Sequence, residues 1–577
     1  MLASRLDGFV PRPAQQRLTA AIAEAVEHAD VLLAEAGTGT GKTYAYLVPV
    51  LLSGQKTIIS TGTRALQDQL YHRDLPRVRE ALGVGLRSAL LKGRANYLCQ
   101  YRLEQAKGGE ATLPSQRGEA RFSSTEQASQ FQRIVAWSGR TRFGDMAELD
   151  GIPDDSPLLP LVTSTVDNCL GGECPFFGEC FVVQARQRAQ GADLVVVNHH
   201  LLLADLALKQ EGFGEILPGA QAFIIDEAHQ LPELAATFFG EAFGMRQLQE
   251  LGRDCLAECR QTTGALALLQ PPVRALDQVL RELREAMDAL PPRGTRYRAL
   301  TLPAVHDGFE ALAAALATLQ DALQPLVEAS PGFEVCMVRA RDLRERLERW
   351  LDGEVASTLF DDVLPDDAGL FAAPAGDAAA PTDAAAPTDA AAPVREGEVL
   401  WYELSPRGFR SQRTPLDVSA PLRAHREASR AAWVFTSATL AIKGGFSHVA
   451  QRLGLVDPDT LLEPSPFDWP QQALCYLPPR LPDPNSREFS TAMLDAVRPV
   501  LEASNGRAFL LFASHRALRE AAAALRGGPW PLFVQGEAPR ATLLQRFRES
   551  GNGVLLGSAS FRAGVDVVGD ALSVVVI

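Results

Sequence analysis

The sequence predicts an α/β protein built on parallel β-sheets. Two observations indicate this class: short β-branched runs recur along the chain, and stretches with helical periodicity separate them. Strands that alternate with helices in this way form strand–helix–strand units, whose strands lie parallel in one sheet. The predicted strands are Val31–Ala34, Lys56–Thr61, Leu194–Asn198, Ala222–Asp226, Trp433–Thr436, Ala508–Phe512, Gly553–Leu556 and Leu572–Ile577.

The composition is that of a globular protein with several domains. Hydrophobic residues make up 46% and charged residues 22% of the 577 residues. The sequence has no run of about 18 apolar residues, which a membrane span needs, and no signal peptide at its N-terminus. We therefore expect a soluble, cytoplasmic protein with no membrane partner. The net charge of −14 neither supports nor excludes a nucleic-acid partner, because screening limits each charge to a reach of about 8–10 Å and an acidic protein can carry a basic groove.

Two stretches between the predicted strands differ from the rest. From about Leu248 to Gly353, two sets of apolar residues recur with helical spacing. This stretch predicts a compact helical insert rather than a coiled coil, since the spacing lasts for only about two heptads. The two sets are Leu276, Leu280, Leu283, Met287 and Leu290, and Leu312, Leu316, Leu319, Leu323 and Leu326. Ala372–Pro393 is a near-repeat of Ala, Pro, Thr and Asp without a large apolar residue, and it predicts a disordered linker.

A glycine-rich turn follows the first predicted strand. The sequence AEAGTGTGKT, Ala34–Thr43, places this turn between a strand and a helix, so that successive backbone N–H groups and the helix dipole face a phosphate group. We expect Lys42 to contact the β- and γ-phosphates and Thr43 to ligate Mg²⁺. Where the strict phosphate-loop pattern has glycine, this chain has Ala36. The residues of the turn itself are Ala36, Gly37, Thr38, Gly39, Thr40 and Gly41.

An acidic pair at the end of another predicted strand supplies the second half of a nucleotide site. In FIIDEAH, Phe223–His229, apolar residues lead to Asp226, whose carboxylate can hold Mg²⁺ at the carboxyl end of the strand. Glu227 follows it and is the candidate to orient or deprotonate the attacking water. Together with the turn before Lys42, this pair predicts an NTP hydrolase.

Four of the eight cysteines lie in one stretch of the chain. They follow the spacing Cys169-x4-Cys174-x5-Cys180, with Cys99 upstream. In a reducing compartment clustered thiols indicate a metal site rather than disulfides. The spacing leaves three alternatives open: an iron–sulfur cluster, a zinc ion, or thiols without a metal. The remaining cysteines are Cys255, Cys259, Cys336 and Cys475, of which the first two are expected to be buried structural thiols.

Several motifs resemble those of the superfamily 2 helicases. They are the glycine-rich turn, DEAH at Asp226–His229 and TSAT at Thr436–Thr439, in this order. Within that superfamily the chain is similar to the XPD-like branch and to its bacterial DinG and YoaA type. The segments that carry this closer resemblance are ISTGTRALQDQL (Ile59–Leu70), LLKGRANYLC (Leu90–Cys99), VVVNHHLLLAD (Val195–Asp205), SPFD (Ser465–Asp468) and GVDVVGD (Gly564–Asp570). The resemblance is weakest across Arg253–Arg395.

The resemblance implies an ATP-dependent DNA helicase that moves 5′ to 3′ along single-stranded DNA. It implies ATP, Mg²⁺ and a [4Fe–4S] cluster as cofactors, single-stranded or forked DNA as the partner, and a role in DNA repair or replication with other proteins of those processes. The residue roles that it implies are adenine recognition by Arg12 and Gln15, contact with the DNA backbone by Ser60, Thr61 and Thr63, coupling of hydrolysis to movement by Ser437, Thr439 and Asp566, and ligation of the cluster by Cys99, Cys169, Cys174 and Cys180.

For the fold, the resemblance implies two RecA-like parallel-sheet motor domains, the second incomplete, with an iron–sulfur insert and a helical arch insert. The expected bounds are 1–95 for the first part of motor domain 1, 96–191 for the iron–sulfur insert, 192–245 for the second part of motor domain 1, 246–370 for the helical arch, 371–395 for the Ala/Pro linker, 396–445 for the final part of motor domain 1 and 446–577 for motor domain 2.

His199 and His200 follow a predicted strand, where neighbouring side chains point to opposite faces. We expect them in packing or in the DNA channel rather than as joint metal ligands.

Two alternatives remain. The first is a superfamily 2 enzyme that acts on RNA or remodels a nucleoprotein, against which the four-cysteine stretch argues. The second is a helicase-derived nucleic-acid-binding protein or fragment with little unwinding activity. In its favour, Arg562–Ala563 stands where the family usually has Trp-Glu, and the family's final QxxGRxxR motif, which carries an arginine finger, does not occur. Because the chain ends on the predicted strand Leu572–Ile577, we expect a C-terminally truncated form that binds ATP and shows little or no unwinding.

Overall fold

The computed structural model describes residues 4–6, 9–107, 125–149, 152–153, 156–210, 216–352, 397–405, 408–484, 486, 488–558, 561, 565, 567 and 569–577. The chain divides into two compact units, one formed by Met1–Leu234 with Pro421–Ile577 and the other by Ala235–Ala420. The predicted linker Ala372–Pro393 lies outside the described residues, as do Arg562–Ala563 and Asp566.

All eight predicted strands are confirmed, with ends that differ by at most two residues. The strands are, in chain order, β1 (Val31–Ala36), β2 (Thr57–Thr61), β3 (Ser88–Leu90), β4 (Leu194–Asn198), β5 (Ala222–Asp226), β6 (Glu241–Gly244), β7 (Arg293–Thr295), β8 (Glu398–Ser405), β9 (Gly408–Pro415), β10 (Ala432–Ser437), β11 (Asp459–Glu463), β12 (Ala508–Leu511), β13 (Leu532–Val534), β14 (Val554–Gly557) and β15 (Val574–Val576). Strands β3, β6 to β9, β11 and β13 were not predicted from the sequence.

Helices connect most of these strands. They are α1 (Pro13–His28), α2 (Lys42–Ser53), α3 (Arg64–Gln69), α4 (Leu75–Leu82), α5 (Gln100–Lys107), α6 (Thr125–Ser138), α7 (Leu159–Val162), α8 (Phe181–Gln190), α9 (His199–Gln210), α10 (Leu231–Phe238), α11 (Met245–Glu258), α12 (Ala265–Ala286), α13 (Arg296–Leu300), α14 (Pro303–Leu323), α15 (Pro331–Asp352), α16 (Ser419–Ser429), α17 (Ser447–Arg452), α18 (Trp469–Gln472), α19 (Phe489–Ser504), α20 (His515–Leu525) and α21 (Arg540–Ser550). Among the helices of the described ranges, none combines the length and apolar character that crossing a membrane requires.

The first sheet consists of seven parallel strands in the order β11-β1-β10-β5-β2-β4-β3. Its central strands β2, β4, β5 and β10 are buried at every residue. Parallel strands that are covered on both faces contain continuous apolar runs, which explains why these four strands could be predicted. Leu18 of α1 and Leu47 of α2 share a core with Ile59, Val196 and Ile224 of the sheet. Because the strands are parallel, their carboxyl ends lie along one edge, where ligands bind in sheets of this kind.

Strand β11 corrects the expected end of motor domain 1. It pairs with β1 in parallel, with Leu33 opposite Thr460 and Ala36 opposite Glu463, so the first sheet continues past the expected boundary at residue 445. The strand is at the sheet edge and is largely exposed, and it lacks the β-branched run by which central strands are recognised. We place the boundary between the two parallel sheets after Glu463.

The second sheet consists of four parallel strands in the order β13-β14-β12-β15. Successive residues of a strand point to opposite faces, and the two faces have separate cores. Ala508 and Leu510 of β12 pack with α19 and α20, while Phe509 packs on the other face with Leu543 and Phe547 of α21. The fold class predicted from the sequence, α/β with two parallel sheets, is therefore confirmed.

The unit Ala235–Ala420 contains the predicted helical insert, made of α11 to α15. Both predicted apolar faces lie in its core: Leu276, Leu280 and Leu283 of α12 are buried together with Leu312 and Leu316 of α14. Helix packing accounts for this, since residues with a spacing of three and four lie on one side of a helix.

An antiparallel sheet of four strands in the same unit was not predicted. Its order is β6-β9-β8-β7, and Phe243, Tyr402 and Phe409 attach it to the helical core. The assignment of residues 396–445 to motor domain 1 was therefore wrong for β8 and β9. The pairing of Glu241 with Arg413 joins strands that are distant in the sequence, and no local pattern predicts such a pairing.

Candidate functional site

The glycine-rich turn forms a compact loop between β1 and α2. Gly39 and Gly41 both have φ of 86°, a left-handed conformation that favours glycine. Thr40 donates its hydroxyl to the Gly37 carbonyl at 2.5 Å, and the Lys42 Nζ donates to the Ala36 carbonyl at 3.1 Å. Lys42 therefore lies folded over the loop, at the amino end of α2.

Arg12 and Gln15 brace this loop from the start of α1. The Arg12 guanidinium donates to the Gly39 carbonyl, and the Gln15 Nε2 donates to the Gly41 carbonyl at 3.1 Å. A Cβ at Gly41 would lie 2.3 Å from the Gln15 Nε2, so a side chain there would displace Gln15 from the loop. The structure thus brings both residues to the loop, as the predicted nucleotide role requires.

The segment after β11 covers the opposite side of the loop. The Gly37 N–H donates to the Glu463 carbonyl at 3.0 Å, and the Ser465 hydroxyl donates to the Thr38 carbonyl at 2.9 Å. The Glu463 carboxylate in turn accepts two hydrogen bonds of 2.6 Å from Arg17 of α1. The sequence predicts SPFD only as a family segment. Its contact with the glycine-rich loop could not be predicted, because the contact joins residues far apart in the sequence.

Asp226 and Glu227 lie side by side at the carboxyl end of β5. Asp226 is buried, and burial together with the neighbouring Glu227 charge raises the pKa of its carboxyl group to about 7. The Tyr46 hydroxyl of α2 donates to the Asp226 Oδ2 at 3.3 Å. Glu227 has φ of 58°, a left-handed conformation that is uncommon for a residue other than glycine and often marks a functional site.

Ser437 and His229 hold the Glu227 carboxylate. Ser437 ends β10, which is paired with β5 so that Thr436 lies opposite Asp226. The Ser437 hydroxyl donates to the Glu227 Oε2 at 3.3 Å, and the His229 Nδ1 lies 2.8 Å from the same hydroxyl. The structure therefore brings the predicted coupling residue Ser437 to the predicted catalytic carboxylate. Thr439 is adjacent, with its N–H 3.4 Å from the Ser437 Oγ.

The three residues expected at the DNA backbone do not share one environment. Ser60 is fully buried and Thr61 is 1% exposed, so a phosphate group cannot reach their side chains in this structure. Thr63 is partly exposed and caps α3, with its Oγ1 accepting from the Leu66 N–H at 3.2 Å. Arg64, the next residue, is exposed. The expected contact is thus corrected for Ser60 and Thr61, which belong to the buried end of β2.

His199 is a site residue to which the sequence analysis gave no specific role. It begins α9 rather than lying on a strand, and it is fully buried beneath the carboxyl edge of the first sheet. Its Nδ1 lies 2.7 Å from the Ser60 Oγ, and burial lowers the pKa of its imidazole to about 4. His200, by contrast, is exposed. The only sequence signal was the resemblance across VVVNHHLLLAD.

Cys99, Cys169, Cys174 and Cys180 line one cavity of about 280 Å³. Cys99 precedes α5, and the other three flank short 3₁₀ turns before α8. Burial raises the pKa of the Cys99 and Cys174 thiols. The Arg94 guanidinium donates to the Cys169 Sγ at 2.7 Å.

The separation of these sulfur atoms bears on which group they fit. No three of the four lie within 4.8 Å of one another, since the described residues contain no such cysteine group. Four thiolates around one zinc ion, with Zn–S distances of ~2.3 Å, would lie only about 4 Å apart. A Cys₄-ligated iron–sulfur cluster is larger than a single ion and keeps its ligands further apart. The donor set of four thiols is one that an iron–sulfur cluster accepts.

The other cysteines are not part of this site. Cys255 and Cys259 are buried in the core of the Ala235–Ala420 unit together with Cys336, which confirms that the first two are buried thiols. The Cys259 Sγ donates to the Cys255 carbonyl at 3.2 Å, and burial raises the pKa of this thiol to about 11. Cys475 is exposed.

Comparison with known proteins gives consistent matches along the chain. Residues 12–106 match the family model described as DEAD/DEAH box helicase, and residues 497–577 match the model described as Helicase C-terminal domain. The chain is 38% identical to the ATP-dependent DNA helicase YoaA of Escherichia coli (strain K12), over 100% of this chain and 83% of that protein. It is 36% identical to YoaA of Haemophilus influenzae, over 100% and 82%. It is 31% identical to the ATP-dependent helicase DinG of Mycobacterium tuberculosis, over 99% and 81%.

Proposed function

Because the chain belongs to the YoaA/DinG family of ATP-dependent DNA helicases, and is thus an ATP hydrolase, we propose that it moves 5′ to 3′ along single-stranded DNA and opens forked DNA during repair or replication. The family resemblance supports the direction of travel and the process. The observation that carries the proposal in this molecule is the convergence of three groups at one edge of the first sheet: the loop before Lys42, the pair Asp226–Glu227, and Ser437.

The nucleotide would bind with its phosphates at the amino end of α2. Backbone N–H groups of Ala36–Gly41 would hold the phosphates, and Lys42 would exchange its carbonyl partner in the loop for the γ-phosphate. Thr43 and Asp226 are the proposed ligands of Mg²⁺, which neutralises charge that develops on the phosphate oxygens. Glu227 would accept the proton of the attacking water at a carboxylate oxygen.

Arg12 and Gln15 are proposed to serve the adenine end of the nucleotide. Both already bind loop carbonyls, so each can respond when the loop closes on the phosphates. Phe9 supports this placement, since its ring stacks on Tyr44 of α2 with centroids 5.9 Å apart.

Ser437 is proposed to report the state of the nucleotide to the rest of the motor. Its hydroxyl is shared between Glu227 and His229, and loss of the γ-phosphate would change the position of the carboxylate that it holds. Thr439 follows in the same segment, whose Leu440 and Ala441 N–H groups are bound by the Glu35 carboxylate. This links the end of β10 to β1.

The loop between β2 and α3 is proposed as a DNA contact in place of the buried end of β2. Thr63 is partly exposed and Arg64 is exposed. His200 is also exposed by surface area. Partial burial of its ring lowers the pKa of the imidazole, and the nearby Arg64 charge lowers it further. A guanidinium and a hydroxyl on an exposed loop are the groups that bind DNA phosphates.

The four clustered cysteines are proposed to hold a [4Fe–4S] cluster. Their donor chemistry, the cavity of about 280 Å³ that they line and the spacing of their sulfur atoms support this assignment. Arg94 donates to the Cys169 Sγ and Arg186 also lines the cavity, so two guanidinium groups would offset the negative charge of thiolate ligands. When bound, the cluster would fix the insert at residues 96–191, which has little regular structure of its own around Cys174.

ATP hydrolysis by the full chain, measured with and without single-stranded DNA, tests the proposal. We expect stimulation by DNA and not by RNA of the same length, and unwinding of a duplex with a 5′ tail but not of one with a 3′ tail. Glu227→Gln is the control, which should bind nucleotide and not hydrolyse it, because an amide cannot accept the proton of water.

Equal stimulation by RNA would contradict the DNA assignment, and unwinding from the 3′ tail alone would contradict the polarity. Stimulated hydrolysis without unwinding would support the alternative of a DNA-binding protein with little unwinding activity.

A further inference from the structure

One buried imidazole contacts two neighbouring strands at the edge where ATP is proposed to bind. His199 follows β4 directly and is fully buried. Its Nδ1 lies 2.7 Å from the Ser60 Oγ of β2. Its ring also lies against the backbone of Asp226 and Glu227, at the end of β5 on the far side of β2. His199 therefore spans the gap between β4 and the acidic pair.

The other ring nitrogen of His199 lies outside strict hydrogen-bond geometry, although the backbone of Asp226 and Glu227 is close enough to raise the pKa of the imidazole against the larger, opposite effect of burial. Within the described part of the chain, its Nε2 is one of the buried polar atoms without a partner. Leaving such an atom unpaired is unfavourable, and a neutral imidazole has one donor and one acceptor to satisfy. The nearest groups that could accept are on the backbone of Asp226 and Glu227. A small shift of β2 or of α9 would bring the ring into hydrogen-bond geometry with that backbone.

Ser60 connects this imidazole to the proposed DNA contact. The loop Gly62–Arg64 begins two residues after Ser60; its Gly62 is buried, Thr63 is partly exposed and Arg64 is exposed. Gly62 itself packs against Gln230, in the turn that follows Glu227, since a Cβ on Gly62 would lie 2.5 Å from the Gln230 Oε1. The loop after β2 thus has two routes to the acidic pair, one through Ser60 and the other through Gln230.

We propose that His199 is the positioning residue that couples single-stranded DNA at the loop Gly62–Arg64 to Asp226 and Glu227, through its hydrogen bond to Ser60. The inference rests on the proposed function and deepens it by naming the path from the DNA contact to the ATP site. When DNA draws the loop outward, Ser60 moves with it and rotates the imidazole. The Nε2–H then donates to the backbone of the acidic pair and fixes the carboxylate of Glu227 for water attack.

The coupling is measured as a binding linkage, which does not depend on turnover. The affinity of the full chain for a fluorescein-labelled oligothymidylate is determined by anisotropy with and without Mg²⁺ and the non-hydrolysable analogue AMP-PNP. Coupling of this kind changes affinity by about 5- to 150-fold, and it is reciprocal between the two ligands. In His199→Leu, which keeps the volume and removes both nitrogens, we expect the nucleotide to change DNA affinity by less than about twofold.

His199→Asn separates coupling from simple packing and anchoring. Its amide reaches Ser60 from the position of Nδ1 but lacks an atom in the place of Nε2, so we expect the linkage to be lost here too. The matched control is His425→Leu, because His425 is a partly buried imidazole that packs on Phe223 and Trp433 near the amino ends of β5 and β10. It should lower the melting temperature while leaving the linkage at the level of the unaltered chain.

The possible outcomes are distinguishable. Linkage retained in both His199→Leu and His199→Asn would overturn the inference but not the proposed function. Linkage retained in His199→Asn and lost in His199→Leu would show that His199 only anchors Ser60, which also overturns the inference. Loss of linkage in His425→Leu to the same extent would show a general effect of destabilisation and count against it. Absence of linkage in the unaltered chain would overturn the proposed function, and the inference with it.

Discussion

At the scale of single residues, the site depends on two carboxylates with different surroundings. Asp226 is buried beside the Tyr46 hydroxyl, whereas Glu227 is partly exposed and adopts φ of 58°. A left-handed conformation costs a residue other than glycine about 1–3 kcal/mol, and the surrounding structure must impose it. Here Ser437 and His229 hold the carboxylate in place. These two contacts therefore fix the position of the Glu227 carboxylate at the end of β5.

The raised pKa of Asp226 predicts how Mg²⁺ binding depends on pH. With a pKa of about 7, the metal-free carboxyl group is mostly protonated at pH 6 and mostly ionised at pH 8, and Mg²⁺ must displace the proton. The apparent Mg²⁺ affinity in the presence of ADP should therefore be about tenfold weaker at pH 6 than at pH 8. A fluorescent ADP analogue titrated with Mg²⁺ measures it, and Asp226→Asn corrects for titration of the nucleotide itself. Equal affinities at the two pH values, after that correction, would contradict the prediction.

At the scale of elements, a buried lysine ties the cysteine-bearing insert to the first sheet. Lys92 follows β3 and is 3% exposed at its side chain. Its Nζ lies 2.7 Å from the Asp68 carboxylate on α3 and 2.7 Å from the Asp145 carboxylate in the insert. Burial opposes the charge of Lys92, but the two carboxylates outweigh it and raise the pKa of the amine. Its ammonium group therefore joins α3 to the cysteine-bearing insert by pairing with one carboxylate on each.

Lys92→Met should destabilise the protein by roughly 3 kcal/mol, because it leaves two carboxylates facing each other without a counter-charge. This is the lower end of the range for a buried pair, since the Asp68 side chain is 33% exposed. Thermal unfolding measures the effect. Arg87→Met is the matched control, since the Arg87 side chain in its pair with Asp193 is 75% exposed, and pairs on the surface contribute about 0–1 kcal/mol. Equal melting temperatures for the two variants would show that the ion pairs of Lys92 do not stabilise the contact between α3 and the insert.

At the scale of the whole molecule, the cysteines fall into two sets with opposite surroundings. Cys174 lines a cavity with three other thiols and the Arg94 guanidinium. Cys255 lies in a hydrophobic core of the Ala235–Ala420 unit. Thiols that face a shared cavity next to cations can be thiolate ligands, whereas thiols in an apolar core stay protonated and inert.

Cys174→Ser should lower the iron content and the visible absorbance of anaerobically purified protein, because it removes one of four proposed ligands. Nucleotide binding should change less, since the phosphate loop and the acidic pair belong to the first sheet. Cys255→Ser is the control and should alter neither iron content nor absorbance. A colourless parent protein that carries one equivalent of zinc would rule out the cluster.

Much of the fold and half of the site were accessible from the sequence, because the signals are contiguous. The buried strands β2, β4, β5 and β10 are apolar runs, and the phosphate loop is a local conformation set by Gly39 and Gly41. Asp226 and Glu227 could be assigned for the same reason, as they end one such run. These features need only neighbouring residues to specify them.

The tertiary structure alone decided which distant groups meet. Ser60 and His199 are 139 residues apart, and their contact depends on β2 lying between β4 and β5, an order that no local pattern contains. The same holds for the pairing of β6 with β9 and for the hydrogen bonds between Arg17 and Glu463, 446 residues apart. Burial was likewise decided in three dimensions: Ser60 and Thr61 have hydroxyl groups suited to DNA, but the fold buries both at the end of β2. Sequence thus determined the strands with contiguous apolar runs and the glycine-rich loop before Lys42, whereas strand order determined which distant residues meet at the end of β2.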